Sequence, residues 1–498
     1  MFINNYALSM VEIVSIELLL NEPKEVTRIL SLTHTPLAPQ SRVRLLTFLQ
    51  SLRNDLTVVI EYDYVDATYR DEYYKFYSTK LHHYHRNCTR ISFFEPGVLY
   101  PGVPVDYSNV DEITSRYLGF LVIRPIKACI GRNIISPQAL KPQLSDIAIC
   151  KVCVNTTVLG LKVSVEGFPH SSQDGEMMAC AETSLWSIAE YYGHKYPRYR
   201  PVAPTEIMEA MRPSSYQRQL PSQGLTFSQI SIGMRTFGFS PEVYQLYKPS
   251  TMDPDVQEID ECAKEVFTCY IESGFPLSIC LEGKAIGHAD VCIGRSHHYT
   301  LRPETKNGRT FYYFNQAIDE FVFNDDNYPC YQKAQISAPV SYYTDANWNG
   351  VKLTNFMVPL PSKVYMNAFK AIKLSKEFIS RCAPDESVIR TYLASCRSLR
   401  HHITTSKLLS NENKQLLINI GLPRFVWVTE FGTKDEFENE RFSGLILLDA
   451  TEPNIVNAQA LILLISNTRN IAYNPTKVTF ENINLTSPFL MERFNNLK

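Results

Sequence analysis

A cysteine at the start of a helix, answered far downstream by a histidine that opens a strand, constrains this chain more than any other feature. The first segment reads Gln173-Asp174-Gly175-Glu176-Met177-Met178-Ala179-Cys180-Ala181-Glu182-Thr183-Ser184-Leu185-Trp186. The second reads Phe275-Pro276-Leu277-Ser278-Ile279-Cys280-Leu281 and, after a short linker, Gly287-His288-Ala289-Asp290-Val291-Cys292-Ile293-Gly294. A third, Phe321-Val322-Phe323-Asn324-Asp325-Asp326, ends a further strand on carboxylates. Glutamine, cysteine, histidine and acid follow one another in the order that thiol-based acyl chemistry needs.

Ala181, Leu185, Ile188, Ala189 and Tyr192 fall on one face of a helix, and Gly193 stands where a terminating glycine is expected. Cys180 then lies in the first turn of a core-packed helix. Unpaired backbone N–H groups and the positive end of the helix dipole favour a thiolate there. Alone, such a cysteine reads as a small apolar residue filling a helix start. Gln173, seven residues upstream in a polar loop, changes that reading. Its amide can swing over the helix N-terminus and, with the N–H of Cys180, form a two-donor oxyanion hole.

His288 is placed at a strand end bordering a cleft, with Gly287 leaving room for the cleft wall. An imidazole base needs an orienting partner on its second nitrogen. Strand alternation puts Phe321, Phe323 and Asp325 on one face, which selects Asp325. Asp326 is the nearby rival, Asn324 could also orient an imidazole, and Asp290 ranks last because same-face neighbours point in parallel.

These segments resemble the papain-like cysteine peptidase superfamily, most of all the double-glycine leader peptidases of the bacteriocin-processing type. The resemblance covers about residues 166 to 335. It includes Gly167-Phe168-Pro169, the Cys180 helix with Tyr191-Tyr192-Gly193, Gly224-Leu225-Thr226-Phe227-Ser228, Thr236-Phe237-Gly238-Phe239, Ser273-Gly274-Phe275-Pro276-Leu277 and Gly287-His288-Ala289. Two departures stand out: Ala181 replaces the usual glycine after the cysteine, and the Gln-to-Cys interval is one residue longer than the commonest spacing. The resemblance implies an α+β fold whose central domain packs a helix-borne cysteine on an antiparallel sheet carrying the histidine and aspartate. It implies Cys180 as nucleophile, His288 as general base and acid, Asp325 as orienter and Gln173 as oxyanion donor. The implied activity is that of a cysteine hydrolase, a peptidase or isopeptidase working through a thioester on a protein or peptide substrate without a cofactor. Alternatives are a catalytically lapsed binding or sensor protein on the same scaffold, and an acyltransferase or transglutaminase-like use of the thioester.

With 498 residues the chain is expected to hold two or three domains. These are a mixed α/β part over 1–160, the hydrolase part over 161–358, and a mixed α/β part over 359–498. Helices are expected over Arg42 to Arg53, Asp71 to Arg86, Thr205 to Met211, Asp255 to Ser273, Ser362 to Arg381 and Glu386 to Thr404. Strands are expected over Thr57 to Tyr64, Arg424 to Phe431 and Phe442 to Asp449.

A net charge of −2 gives no global attraction to nucleic acid or acidic lipid. No apolar run approaches the roughly 20 residues of a membrane span, and no signal peptide opens the chain, so neither a membrane nor export is expected. The 12 cysteines lack a disulfide framework, which points to a reducing cytoplasm. Cys150-x-x-Cys153 has no second ligand pair at zinc-site spacing, and the basic stretch Lys80-Leu81-His82-His83-Tyr84-His85-Arg86 reads as a solvated helix face, so no metal is expected.

Overall fold

The computed structural model describes residues 10–215, 218–251, 256–284, 286–453 and 460–497. It is built of three large sheets with helices packed on them. Among the described strands, pairing is antiparallel everywhere except between Arg309–Tyr313 and Ser387–Ser395. Helices that pack on antiparallel sheets make an α+β architecture.

The first sheet is a five-stranded meander of Val11–Ser15, Thr57–Tyr64, Cys88–Phe94, Tyr117–Ile123 and Ile130–Ile135, in that order. The central sheet runs Gln332–Gln335, Glu320–Phe323, Gly287–Ser296, Leu277–Glu282, Lys352–Pro361, Phe239–Gln245. Its strand Gly287–Ser296, called here the histidine strand, also pairs with Ile147–Ile149. The third sheet runs from the hairpin Pro303–Lys306 and Arg309–Tyr313 through Ser387–Ser395, Phe425–Gly432, Gly444–Asp449, Leu461–Ile465 and Asn470–Asn474 to Thr479–Asn482. The sheets therefore borrow from one another along the chain: 147–149 joins the central sheet, and 303–313 joins the last.

One buried network fastens the last sheet to the central one. Glu272, fully buried at the end of the helix Glu261–Glu272, is hydrogen-bonded to the Nε of Arg295 on the histidine strand and, at 2.7 Å, to the Nε of Arg390 on Ser387–Ser395. Arg390 also reaches Glu430 at 3.1 Å. Burial works against the Glu272 charge, but the two guanidiniums outweigh it and hold the carboxyl down at about 2.

Several sequence expectations are revised. Asp71 to Arg86 is not one helix: Ala67–Lys75 is capped by Asp66, a short 3-10 turn covers Tyr77–Thr79, and the histidine-rich stretch that follows is irregular. Phe76, with φ −131° and ψ −57°, breaks the helical run. Glu386 to Thr404 is a strand, Ser387–Ser395, followed by the helix Cys396–Thr405. Val388, Ile389, Thr391, Tyr392 and Leu393 are all buried between neighbouring strands, and the Ser395 side chain caps the helix by accepting from the Ser398 N–H. Asp255 lies outside the described residues; the helix expected from it begins at Glu261, capped by Asp260, while Gln257–Ile259 is a short strand. The helix expected from Ser362 starts at Ala368, where Asn367 caps it.

Candidate active site

The cysteine helix spans Cys180–Lys195 and packs against the histidine strand. From Ala181 through Tyr192 every residue is buried. Gly193 does not end it; a Cβ at that position would meet Pro201 N at 2.3 Å, so the glycine serves a close approach by the chain that returns past the helix. Cys180 is the first helical residue and half-buried. The N-cap residue is Ala179, which offers no side-chain acceptor, so the first-turn N–H groups keep no side-chain cap.

The loop before the helix is folded around Asp174. Its Oδ1 accepts from the N–H groups of Glu176, Met177 and Met178 at 2.8, 2.8 and 2.9 Å, and Gly175 takes φ +70°. The first part of the chain braces this loop: Tyr77 Oη donates to Asp174 Oδ2 at 2.9 Å, and Lys80 Nζ binds Glu176 at 2.6 Å. Gln173 thereby faces the loop after the third site strand. Its amide donates to Asp326 Oδ1 at 3.3 Å and to Asn327 Oδ1 at 3.1 Å.

The histidine strand brings the next group. His288 is the second residue of Gly287–Ser296, paired with Leu281, and is 6 % exposed. The next N–H, that of Ala289, donates to Cys180 Sγ at 3.4 Å. His288 Nε2 lies 3.3 Å from Asp325 Oδ1 and 3.7 Å from Asp326 Oδ1. Burial opposes charge on the imidazole, but the carboxylate of Asp325, its hydrogen bond, the contact with Cys180 and Asp326 outweigh it and hold His288 well above its ordinary value. Gly287 is not needed for space: a Cβ there would meet nothing within 4 Å.

Strand alternation does not separate the two aspartates. The strand ends at Phe323, paired with Gln332; the Asn324 N–H still donates to Val291 O at 2.9 Å, the chain leaves the ladder from Asp325, and both carboxylates approach the imidazole. They differ in their partners. Asp325 is fully buried and accepts from Tyr343 Oη at 2.7 Å, Tyr342 Oη at 3.0 Å and the Asn327 N–H at 2.9 Å, besides His288. Burial raises its carboxyl, but these donors and the imidazolium pull it below its ordinary value. Asp326 leaves Oδ2 without a hydrogen-bond partner among the described residues, and burial pushes it up to about 7. Asn324 points away, donating to Pro169 O at 3.1 Å. Asp290 accepts from the neighbouring Val291 N–H and makes no hydrogen bond to the imidazole.

Sequence reasoning missed the second rank of the site. Trp348 meets His288 edge-on, with ring centroids 5.4 Å apart, and stacks on Tyr343 at 3.6 Å. His170, fully buried, joins Asn133 at 2.9 Å and the backbone oxygen of Asp325 at 3.0 Å, and burial pulls its imidazole below its ordinary value. Asp174-Gly175 carried a turn signal that could have been read. The tyrosines and His170 carried none, because their partners are remote in sequence.

His288, Asp325 and Asp326 bring ligand-type atoms within 4.8 Å of one another. The Nε2 that a metal would take is the one facing Asp325, and the other Asp325 oxygen is already held by two phenols. Those partners suit an oriented imidazole better than an ion. In the Cys-x-x-Cys segment, Cys150 is buried and Cys153 exposed.

No family model matches the chain, and no curated protein matches it. Among solved structures it is similar to the peptidase domain of Streptococcus ComA, a bi-functional ABC transporter involved in a quorum-sensing pathway. That match is 14 % identical, covers 38 % of this chain and 96 % of the other, and has a TM-score of 0.20. No helix among the described residues is long and apolar enough to cross a membrane.

Proposed function

We propose that this chain is a papain-like cysteine hydrolase, a peptidase or isopeptidase, with Cys180 as nucleophile. One observation carries the reading: the helix-borne thiol is seated against the histidine strand, whose imidazole turns its other nitrogen to a fully buried carboxylate. A single buried Cys or His needs no catalytic explanation. A thiol, imidazole and carboxylate brought together from separate elements, at an uncapped helix start, does.

In this reading Cys180 Sγ attacks the carbonyl carbon of the scissile amide. The negative oxygen that forms is held by the first-turn N–H of Cys180 and by the Gln173 amide, which turns from Asp326 and Asn327 toward it. Protonated His288 gives its proton to the leaving amine, and a thioester forms on Sγ. Neutral His288 then takes a proton from water, which attacks the thioester; the C–S bond breaks, the acid leaves, and the thiolate is restored beside protonated His288. Asp325 holds the ring and offsets the imidazolium charge, and Trp348 and the tyrosines keep water from that hydrogen bond. An amine in place of water would make the same enzyme a transferase.

The test is selective alkylation. Iodoacetamide at mildly acidic pH should modify Cys180 ahead of the other cysteines, read by peptide mass, and His288→Ala should abolish that selectivity. Equal modification of several thiols at that pH would set the reading aside.

A further inference from the structure

Beside the first turn of the cysteine helix lies a solvent-open cavity of about 420 Å³. Met177, Met208, Met211 and Leu225 give it flexible apolar walls, and Glu182 and Ser222 line it as well. Glu182 is 7 % exposed. Its Oε1 accepts from Ser222 Oγ at 2.6 Å, while Oε2 has no hydrogen-bond partner among the described residues. A buried carboxylate oxygen without a partner, on the wall of a cavity, is an acceptor awaiting a donor. Arg218 is the other charged residue lining the cavity; it is exposed, so solvent screens it, whereas Glu182 is buried.

Resting on the reading of Cys180 as nucleophile, we propose that this cavity is a substrate subsite for a basic side chain, lysine or arginine, with Glu182 as its anchor. The aliphatic stem of such a residue lies along the methionines, and its cation meets Oε2 once the carboxyl, itself closed to solvent in the empty site, turns toward the cavity. Burial raises the Glu182 carboxyl, and a bound cation would pull it back down. Residues two apart on a helix point to different sides of it. The cavity therefore flanks the thiol, and the basic residue is a neighbour of the one whose carbonyl is attacked. An acidic residue would be refused, because it would bring a second carboxylate against Glu182.

Tripeptidyl acyloxymethyl ketones test this on the full chain. Each carries lysine, norleucine or glutamate at one position and alanine elsewhere, and the rate of Cys180 labelling is followed by intact mass. Norleucine copies the lysine stem, so the contrast isolates the charge. At one position lysine should label about tenfold faster than norleucine, with glutamate slowest. Glu182→Gln should bring the lysine-to-norleucine ratio to about one and leave the iodoacetamide rate unchanged within about twofold. Ratios near one at every position in the wild-type protein overturn the proposal, and that measurement needs no variant. So does a ratio that survives Glu182→Gln, or labelling by iodoacetamide but by no peptidyl probe. If iodoacetamide itself shows no selectivity for Cys180, the nucleophile assignment has failed and the subsite falls with it.

Discussion

The N–H of Ala289 donates to the Sγ of Cys180 at 3.4 Å, so the strand that carries the imidazole is tied to the first turn of the helix that carries the thiol. The tie is weak in energy and strong in placement. It puts His288, one residue earlier, beside the sulfur without needing a long side chain to reach it. Cys180 is half-buried at a helix end, so its removal should leave packing nearly intact. Cys180→Ala is expected to abolish hydrolysis and electrophile labelling while the unfolding midpoint stays within a few degrees of the parent. Labelling of the variant as strong as the parent's would move the nucleophile elsewhere.

The two aspartates should separate in turnover. Asp325 holds its carboxylate with two phenols, a backbone N–H and the imidazole, and so orients the ring; Asp326 is farther from Nε2 and half-satisfied. Asp325→Ala is expected to lower kcat by roughly 10²–10⁴ with little change in KM, and Asp326→Ala by much less. The reverse ranking in steady-state kinetics would make Asp326 the orienter.

Tyr342 and Tyr343 are positioning residues, and their effect should be graded. Each phenol removed leaves Asp325 one donor poorer but still hydrogen-bonded to His288. Tyr343→Phe is expected to cost about 1 kcal/mol of stability and to lower kcat less than Asp325→Ala does. The double variant with Tyr342→Phe should lower kcat further and leave KM unaltered. A change in KM alone would mean the tyrosines contact substrate instead of holding the carboxylate.

The parts of this site that lie within one segment were legible in the sequence. Helical spacing of Ala181, Leu185, Ile188 and Tyr192 placed Cys180 in a first turn. The α+β class was what the resemblance implied, and helices packed on mostly antiparallel sheets agree with it. Less legible was anything set by contact between segments. Alternation favoured Asp325 over Asp326, yet the strand ends before either, and the difference between them comes from Tyr342, Tyr343 and Asn327. Ser387–Ser395 looked helical because it is buried on both faces, and burial on both faces erases the period-two pattern.

Glu272 links the central helix and the histidine strand to the last sheet, and its removal should be felt throughout. Glu272→Gln leaves two buried guanidiniums short of a counter-charge, which is expected to destabilise the fold by about 3–5 kcal/mol in urea unfolding. Its carboxyl is held down at about 2 by Arg295 and Arg390 against the burial that would raise it. The charge therefore stabilises the fold above the ordinary glutamate range, and that stabilisation is lost as pH falls toward 2. The variant should lose this part of the acid sensitivity, visible as a shallower fall in midpoint between about pH 4.5 and 2.

Asp326 should act in the opposite sense. Burial raises its carboxyl to about 7, with Asp325 adding to the effect and His288 and Gln173 partly relieving it. Between the ordinary aspartate value of about 3.9 and that raised value, the folded chain holds a proton that the unfolded chain has released. Folding is therefore favoured at the acid end of this window, and the benefit is lost as pH rises through about 7. Asp326→Asn keeps the shape and the acceptor for Gln173 but cannot ionise. It is expected to be as stable as the parent near pH 4 and more stable at pH 8, so its urea midpoint should fall less between the two. His288 also favours the folded state at low pH, but its loss begins only above its ordinary value of about 6.5, so the pH 4–6 segment carries no contribution from His288. Parallel midpoint-versus-pH curves for parent and variant over that segment would mean that Asp326 ionises in the folded chain as an ordinary aspartate does.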